Sequence, residues 1–217
     1  MSPSGPTTPV IQVPGAAELA EAVGRVLRDR RPESLPGPGR RAAVLIVLAD
    51  RDGQASMLLT KRSDDMPTHP GQISLPGGVI DPVDPSPEAA ALRETEEEVG
   101  LPRTALRVVG ELDDVHTMAS NFIIRPFVAL LDGRWEPVPS DAEVARAFHV
   151  PVADVLRADA VLPDDPAPLA LRYPLGGEDV WGATARILRI FSLVLREALS
   201  PGDGTARATP AEADPAA

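Results

Sequence analysis

The stretch RETEEEVGL at residues 93–101 places four glutamates within five positions, and its flanks favour one conformation. Ser86 is a favourable N-cap, Pro87 fits the first turn of a helix, and Gly100 is typical of a helix C-terminus. The pattern therefore predicts a helix over residues 87–99. Any fold of this chain has to bury one side of that helix and accommodate the strongly acidic remainder.

The glutamates of this helix are not spread evenly around its axis. Successive residues turn by about 100°, so the side chains of Glu97 and Glu98 project within about 60° of that of Glu94, while Val99 points toward a core. The alternative interpretation is an acidic helix face that is merely exposed to solvent, but such faces usually mix both signs of charge. Residues 81–100 contain seven acids and a single base. The arrangement therefore favours a site that gathers carboxylates around a cation.

The overall charge limits the partners of such a site. The formal net charge is -11, which argues against non-specific nucleic-acid binding, because phosphate contacts need a basic surface. An acidic protein can still bind a phosphorylated small molecule when divalent cations lie between the two. Carboxylates and backbone carbonyls are the oxygen ligands that Mg²⁺ prefers. The adjacent glycines of LPGG at residues 75–78 would let the backbone approach a ligand closely.

Length and composition suit one sizeable core, since the chain has 217 residues and 43% hydrophobic content. Residues 1–40 are interpreted as a Pro/Gly-rich segment with a short helix, residues 41–199 as the folded domain, and residues 200–217 as a disordered tail. The chain contains no cysteine, and no apolar run reaches 18 residues. A cytoplasmic protein without disulfides or membrane spans is expected.

Short apolar runs in the middle of the chain predict strands, and flanking segments predict helices. The Asp52-Gly53 pair between the first two runs is a hairpin signal. Strands in the middle with helices between them favour an α+β fold, or a mixed sheet sandwiched by helices. The predicted strands are 41–49, 56–61, 105–112 and 122–131, the further helices are 16–31 and 181–199, and the patterns at 149–156 and 168–175 are mixed.

The spacing of the glycines and acids resembles the sequence box of the Nudix hydrolase family. That box runs Gly, five residues, Glu, seven residues and then Arg-Glu-U-x-Glu-Glu-x-Gly-U, where U is apolar. Its second half is matched here, with Thr95 as a polar residue at the first U. Its first half departs, because Asp84 is the sixth residue after Gly78 and eight residues separate it from the arginine. The matching residues are Arg93, Glu94, Glu97, Glu98, Gly100 and Leu101.

The shifted spacing resembles the coenzyme A pyrophosphatase branch of that family. The branch also carries an upstream signature, which runs LLTxRS, three residues, Arg, three residues, Gly, three residues and FPGG. Residues 58–78 match it at most fixed positions, with Pro67 in place of the Arg and Leu75 in place of the Phe. ELDDVHT at 111–117 and DVWGATARIL at 179–188 are also similar to the branch.

The resemblance, which extends over residues 41–197, implies an α/β/α sandwich with a mixed β-sheet, in which the box forms a loop-helix-loop. It also implies hydrolysis of a nucleoside diphosphate linked to another moiety, dependent on Mg²⁺ or Mn²⁺. Arg93 would orient a glutamate through a salt bridge. The implied catalytic and metal-binding residues are Arg93, Glu94, Glu97 and Glu98, together with the carbonyl of Gly77 or Gly78.

Other polar residues near the box have two interpretations each. Lys61 and Arg62 leave a strand just before the glycines and are either phosphate contacts or an ordinary strand-end charge pair. His69 is either a neutral loop histidine or a substrate contact, and Gly77 is expected to line the substrate site. Glu143 is either a general base or further metal ligand, or a surface carboxylate.

The resemblance to the branch favours hydrolysis of coenzyme A or acyl-coenzyme A to 3',5'-ADP and 4'-phosphopantetheine or its acyl form. The departures at Pro67 and Leu75 keep open another nucleoside diphosphate derivative, such as ADP-ribose. A binding protein of the same fold without turnover is the remaining alternative, although such proteins usually lose box glutamates. The expected partner is a small nucleotide substrate, and a homodimer is compatible because family members are often dimers.

Overall fold

The computed structural model describes residues 12–66, 68–118, 120–140, 143–163, 167 and 170–200. Pro67 and, apart from Ser200, the tail predicted at 200–217 lie outside these ranges. The described helices are α1 (Ala16–Asp29), α2 (Pro87–Val99), α3 (Val152–Ala160) and α4 (Gly182–Leu199). The strands are β1 (Arg40–Arg51), β2 (Gln54–Arg62), β3 (Ile73–Ser74), β4 (Gly77–Val79), β5 (Leu106–Glu111), β6 (Val115–Thr117), β7 (Phe122–Leu131), β8 (Val144–Pro151), β9 (Arg172–Leu175) and β10 (Glu178–Trp181). Among these helices none has the length and hydropathy needed to cross a membrane.

A mixed sheet forms the centre of the described structure. Strand β1 is parallel to β7 on one side and antiparallel to β2 and β4 on the other. Strands β5 and β6 pair with β7, and β3 and β8 pair with β2, all antiparallel. A separate hairpin joins β9 and β10. The pairing of β4 with β1 brings the two glycines of LPGG into the middle of the sheet, next to α2.

Strand β1 shows why helices cover both faces of this sheet. Successive strand residues point to opposite faces, and β1 is apolar over most of its length. Leu45 and Val47 pack with α2 on one face, whereas Ile46 and Leu48 pack with α1, α3 and α4 on the other. All four side chains are fully buried. Since a strand buried on both faces needs a layer on each side, the predicted α/β/α sandwich is confirmed.

Helix α1 packs into the same core although it lies in the Pro/Gly-rich N-terminal segment. Leu19, Val23 and Leu27 recur at helical spacing and are buried together with apolar residues of α4. The segment after α1 is tied down by a buried acid, because the N–H of Leu35 donates to Oδ2 of Asp114 at 3.0 Å. The N-terminal helix is thus a part of the sandwich.

A buried carboxylate joins α3, β9 and α4. Asp159, whose side chain is 0% exposed, accepts hydrogen bonds from Tyr173 Oη at 2.6 Å, Arg189 Nη1 at 2.9 Å and Arg196 Nη2 at 3.0 Å. Burial raises the pKa of Tyr173, and the hydrogen bond to Asp159 raises it further, so the hydroxyl remains a donor. Three elements from the C-terminal part of the domain therefore converge on one charge.

A second polar network lies where β1, β2 and β8 meet. Arg51 Nη2 is 2.8 Å from His149 Nε2, and because a guanidinium only donates, Nε2 is the acceptor. The proton of the neutral ring is then on Nδ1, which lies 3.3 Å from Ser56 Oγ. Burial, followed by the neighbouring charge of Arg51, lowers the pKa of His149 to about 4. The imidazole is therefore a neutral structural group at pH 7.

We expect this histidine to make the fold sensitive to acid. The folded-state pKa is about 4 and the unfolded value is 6.5, so the unfolded chain takes up the proton first as the pH falls. The stabilisation is complete above the unfolded pKa and is lost as the pH falls toward the folded one. Between neutral pH and pH 5, the free energy of unfolding measured with urea should fall by about 1 kcal/mol more in the wild type than in His149→Gln. An unchanged pH dependence in His149→Gln would contradict the assignment.

Candidate functional site

Helix α2 forms where its capping residues predict it. Ser86 Oγ accepts a hydrogen bond from the N–H of Ala89 at 3.1 Å, and Gly100 adopts a left-handed φ of 66° at the C-terminus. The polar residue at the apolar position of the box is also satisfied locally, because Thr95 is buried and its Oγ1 donates to the carbonyl of Ala91 at 2.7 Å. Thr95 therefore fills a core position without leaving a hydroxyl unpaired.

The two glycines of β4 allow α2 and β1 to approach the same backbone. At Gly77, φ is 137° and a Cβ would lie 2.3 Å from the carbonyl oxygen of Ala43, so a larger residue cannot occupy the position. The N–H of Gly77 donates to Oε2 of Glu98 at 3.0 Å. At Gly78, a Cβ would lie 2.5 Å from Cδ of Glu94. Each glycine thus lies against one carboxylate of α2.

Arg93 donates hydrogen bonds to three carboxylates, those of Asp84, Glu94 and Glu97. Its Nε and Nη2 both donate to Asp84 at 3.0 Å, which is a bidentate pair with a side chain that is only 5% exposed. Its Nη1 donates to Glu94 Oε1 at 3.0 Å and to Glu97 Oε2 at 2.9 Å. The salt bridge predicted between Arg93 and a glutamate is therefore present, and the partner role of Asp84 was not predicted. The only sequence signal for it was the shifted spacing of the box.

The carboxylates of Glu98 and Glu94 lie in an environment that disfavours their charged form. Burial raises the pKa of Glu98 to about 7; the Gly77 hydrogen bond lowers it, and the charges of Glu94 and Glu143 raise it. Burial also raises the pKa of Glu94, against the opposing effect of Arg93. Asp84 already pairs with Arg93 through two hydrogen bonds. Negative charge at this point of the structure is therefore incompletely compensated.

The three predicted metal ligands do not meet at one point. The described residues contain no group of three His, Cys, Asp or Glu side chains close enough to hold an ion as they stand. In these side-chain positions Arg93 Nη1 donates to both Glu94 and Glu97, and the side chain of Glu97 is 58% exposed. The carboxylate of Glu96 has a different partner, because Arg103 Nε donates to it at 2.7 Å. Metal binding by Glu94, Glu97 and Glu98 stays a prediction.

Two residues from outside the box lie beside the carboxylates of Glu98 and Glu94. The positive charge of Arg62 lowers the pKa of Glu98, and the Nε of Arg62 is buried without a hydrogen-bond partner among the described residues. The negative charge of Glu143 raises the pKa of both Glu94 and Glu98. We call Glu94, Glu98 and Glu143 the acidic site. The structure thus brings the predicted residue Glu143 to the predicted helix.

The remaining predicted residues lie around this site in different ways. Lys61 pairs with Glu178 of β10 at 3.1 Å, so its ammonium is engaged by the β9–β10 hairpin. His69 is exposed, with a positive φ of 55°. Leu75, which replaces a phenylalanine of the upstream signature, is 3% exposed and packs in the core. That departure from the signature is therefore a change of internal packing, and the roles of Lys61 and His69 stay predictions.

Comparison with known proteins agrees with the geometry. Residues 39–171 match the family described as the NUDIX domain. A protein of Enterobacter sp. (strain 638) named uncharacterized Nudix hydrolase NudL is 37% identical over 166 residues, covering 71% of this chain and 82% of that protein. Its namesake from Escherichia coli (strain K12) is 36% identical over 165 residues, with coverage of 71% and 82%.

A solved structure supports the fold at lower sequence identity. The NUDIX domain of Shewanella oneidensis NrtR, crystallised with ADP ribose, has a TM-score of 0.50 and 18% identity, over 79% of this chain and 97% of that chain. The family match spans more than half of the present chain and includes β4, α2 and the acidic site. The chain therefore belongs to the Nudix hydrolase family.

Proposed function

We propose that this Nudix hydrolase cleaves the diphosphate linkage of coenzyme A or acyl-coenzyme A with Mg²⁺ or Mn²⁺ as cofactor. The products would be 3',5'-ADP and 4'-phosphopantetheine, or its acyl form. The observation that carries the reaction type is the pairing of Gly77 and Gly78 with the carboxylates of Glu98 and Glu94. The substrate class is supported by the upstream signature at residues 58–78, which is continuous with these glycines.

The acidic site supplies the kind of oxygen donor that a divalent cation prefers. Glu98 and Glu94 present carboxylate oxygens in a half-buried place where their charge is incompletely compensated, which is a setting that favours a bound cation. Gly78 has no side chain to separate its backbone from Glu94. We propose that Glu94, Glu97, Glu98 and the carbonyl of Gly78 hold the metal.

Most of the protein's contribution to the reaction is positional and electrostatic. When bound, divalent cations neutralise phosphate oxygens and lower the pKa of a bound water. Arg93 fixes the directions of Glu94 and Glu97 by donating to both. We further propose that the guanidinium of Arg62, which lies close enough to Glu98 to lower its pKa, contacts a substrate phosphate. Glu143 acts either as the base for the attacking water or as an additional ligand.

A substrate panel tests this proposal. Coenzyme A, acetyl-coenzyme A, ADP-ribose and a nucleoside triphosphate are incubated separately with the protein and Mg²⁺ or Mn²⁺. We expect release of 3',5'-ADP from the two coenzyme A substrates, measured by chromatography, and loss of that release when the metal is chelated. Cleavage of ADP-ribose with coenzyme A left intact would overturn the substrate assignment, and no cleavage of any compound would overturn turnover itself.

The proposal assigns this activity to the domain at residues 41–199, acting on a small nucleotide substrate in the cytoplasm. Lys61, His69 and Gly77 are the further residues that we assign to the substrate. Nucleic acid is not a proposed partner, because a net charge of -11 argues against non-specific phosphate contacts. A homodimer is compatible with the proposal and is tested by light scattering.

A further inference from the structure

Residues 132–140 form a surface segment that reaches from the end of β7 to the acidic site. The segment packs on the C-terminal turn of α2 through two backbone hydrogen bonds. The N–H of Val138 donates to the carbonyl of Val99 at 2.8 Å, and the N–H of Ser140 donates to the carbonyl of Glu98 at 2.8 Å. The far end of the segment thus lies on the backbone of a residue of the acidic site.

Ser140 also sets the backbone of Glu143. Its carbonyl accepts hydrogen bonds from the N–H of Glu143 at 3.1 Å and of Val144 at 2.8 Å. The carbonyl of Glu143 in turn accepts from the N–H of Ser63 at 2.9 Å. Glu143 is therefore two hydrogen bonds away from Glu98 along the backbone, and its own backbone is held by both Ser140 and Ser63.

The near end of the segment is held by an arginine from β1. Arg51 Nη2 donates to the carbonyl of Trp135 at 2.9 Å, and Nη1 pairs with Glu136 at 2.5 Å. The Arg51 side chain is only 19% exposed, and its Nε is buried without a hydrogen-bond partner among the described residues. The near end of the segment is therefore fixed to β1 by a largely buried guanidinium.

We propose that Arg51 is a positioning residue for the reaction. By tethering Trp135 and Glu136, it keeps Ser140 on α2 and so holds Glu143 toward Glu94 and Glu98. Arg51 itself does not touch the acidic site and acts through the intervening segment. The inference rests on the proposed function and adds to it a determinant that lies outside both the box and the upstream signature.

A double-mutant cycle tests the route of this effect. Arg51→Met keeps the apolar stem and removes the guanidinium, and we expect it to lower kcat roughly 10-fold with KM changed less than about twofold. In a Glu143→Gln background the same change should lower kcat by no more than about twofold, because the residue to be positioned is already disabled. Arg157→Met, which removes a partly exposed arginine of α3, and His149→Gln, which replaces the imidazole that contacts Arg51 and Ser56, should leave kcat unchanged.

Several results would overturn the inference. They are an Arg51→Met variant with wild-type kcat, an equal loss of kcat in both backgrounds, or a Glu143→Gln variant with wild-type kcat. Amide hydrogen exchange provides a readout that does not need activity, since Arg51→Met should speed exchange at Val138 and Ser140 while Arg157→Met should not. If the wild type cleaved no substrate, the proposed function would fail, and unchanged exchange at those two amides would separately refute the tether.

Discussion

Glu98→Gln is expected to lower the rate of diphosphate hydrolysis by a factor of about 1,000 or more at saturating Mg²⁺. Glutamine has the shape of glutamate and can still accept the hydrogen bond from the N–H of Gly77, but it brings no charge to a cation. The side chain is buried beside Glu94 and Glu143, so no other carboxylate can replace it without rearrangement. Steady-state release of product measures the effect.

The same substitution should leave the fold intact. The folded-state pKa of Glu98 is about 7 and lies above the reference value of 4.5, so the carboxyl takes up a proton more readily in the folded chain. Its contribution to stability is therefore present at low pH and is lost as the pH rises through 7. Because glutamine avoids the cost of the charge, Glu98→Gln should melt no lower than the wild type at pH 8 with the metal chelated.

Glu96→Gln is the matched control for this experiment. Glu96 lies on the same helix but pairs with Arg103, on a different side from the acidic site. Its substitution removes an equal charge from α2 and should leave the hydrolysis rate within about twofold of the wild type, because the pair is partly exposed. Equal rates for Glu98→Gln and Glu96→Gln would remove Glu98 from the mechanism.

Asp159→Ala is expected to lower the free energy of unfolding by about 3 to 5 kcal/mol. The substitution leaves the buried hydroxyl of Tyr173 without its acceptor and removes the shared partner of Arg189 and Arg196. Since α3, β9 and α4 are joined at this carboxylate, their packing on the sheet should loosen together. Urea unfolding followed by circular dichroism measures the loss.

Asp154→Ala provides the comparison within the same helix. Asp154 pairs with Arg157 one turn along α3, and both side chains are substantially exposed. Such surface pairs typically contribute less than about 1 kcal/mol, so this variant should unfold close to the wild type. A loss in Asp159→Ala no greater than that in Asp154→Ala would show that the buried network does not stabilise the fold.

Helix α2 could be predicted closely because its signals are local. Ser86, Pro87 and Gly100 act within one turn of the helix ends, and the structure places the helix at Pro87–Val99. Residues 149–156 have a mixed pattern, and the structure divides them between the end of β8 and the start of α3. Strand β8 depends on its pairing with β2, where Arg62 pairs with Val144 and Ser56 with Pro151, and no local pattern encodes such a pairing.

The acidic residues of the candidate site could be named from their sequence spacing, but their arrangement could not. Spacing predicts that Glu94, Glu97 and Glu98 share a face, whereas the structure turns Glu97 toward Arg93 and buries Glu98 against Gly77. The partner of Arg93 is chiefly Asp84, which lies on a loop before the helix. The hydrogen-bond partner of each carboxylate depends on which donors the fold brings close to it.

The amino-acid sequence by itself determined helix α2, the glycine pair and the family resemblance, because caps, periodicity and motif spacing act over short stretches of chain, and the layer order followed from that resemblance. Only the tertiary structure decided that Glu98 has a pKa of about 7, that the charge of Glu143 acts on Glu94 and Glu98, and that Arg51 donates to the carbonyl of Trp135. Burial and electrostatic coupling depend on distances between residues far apart in sequence. Those distances exist only once the sheet has brought the segments together.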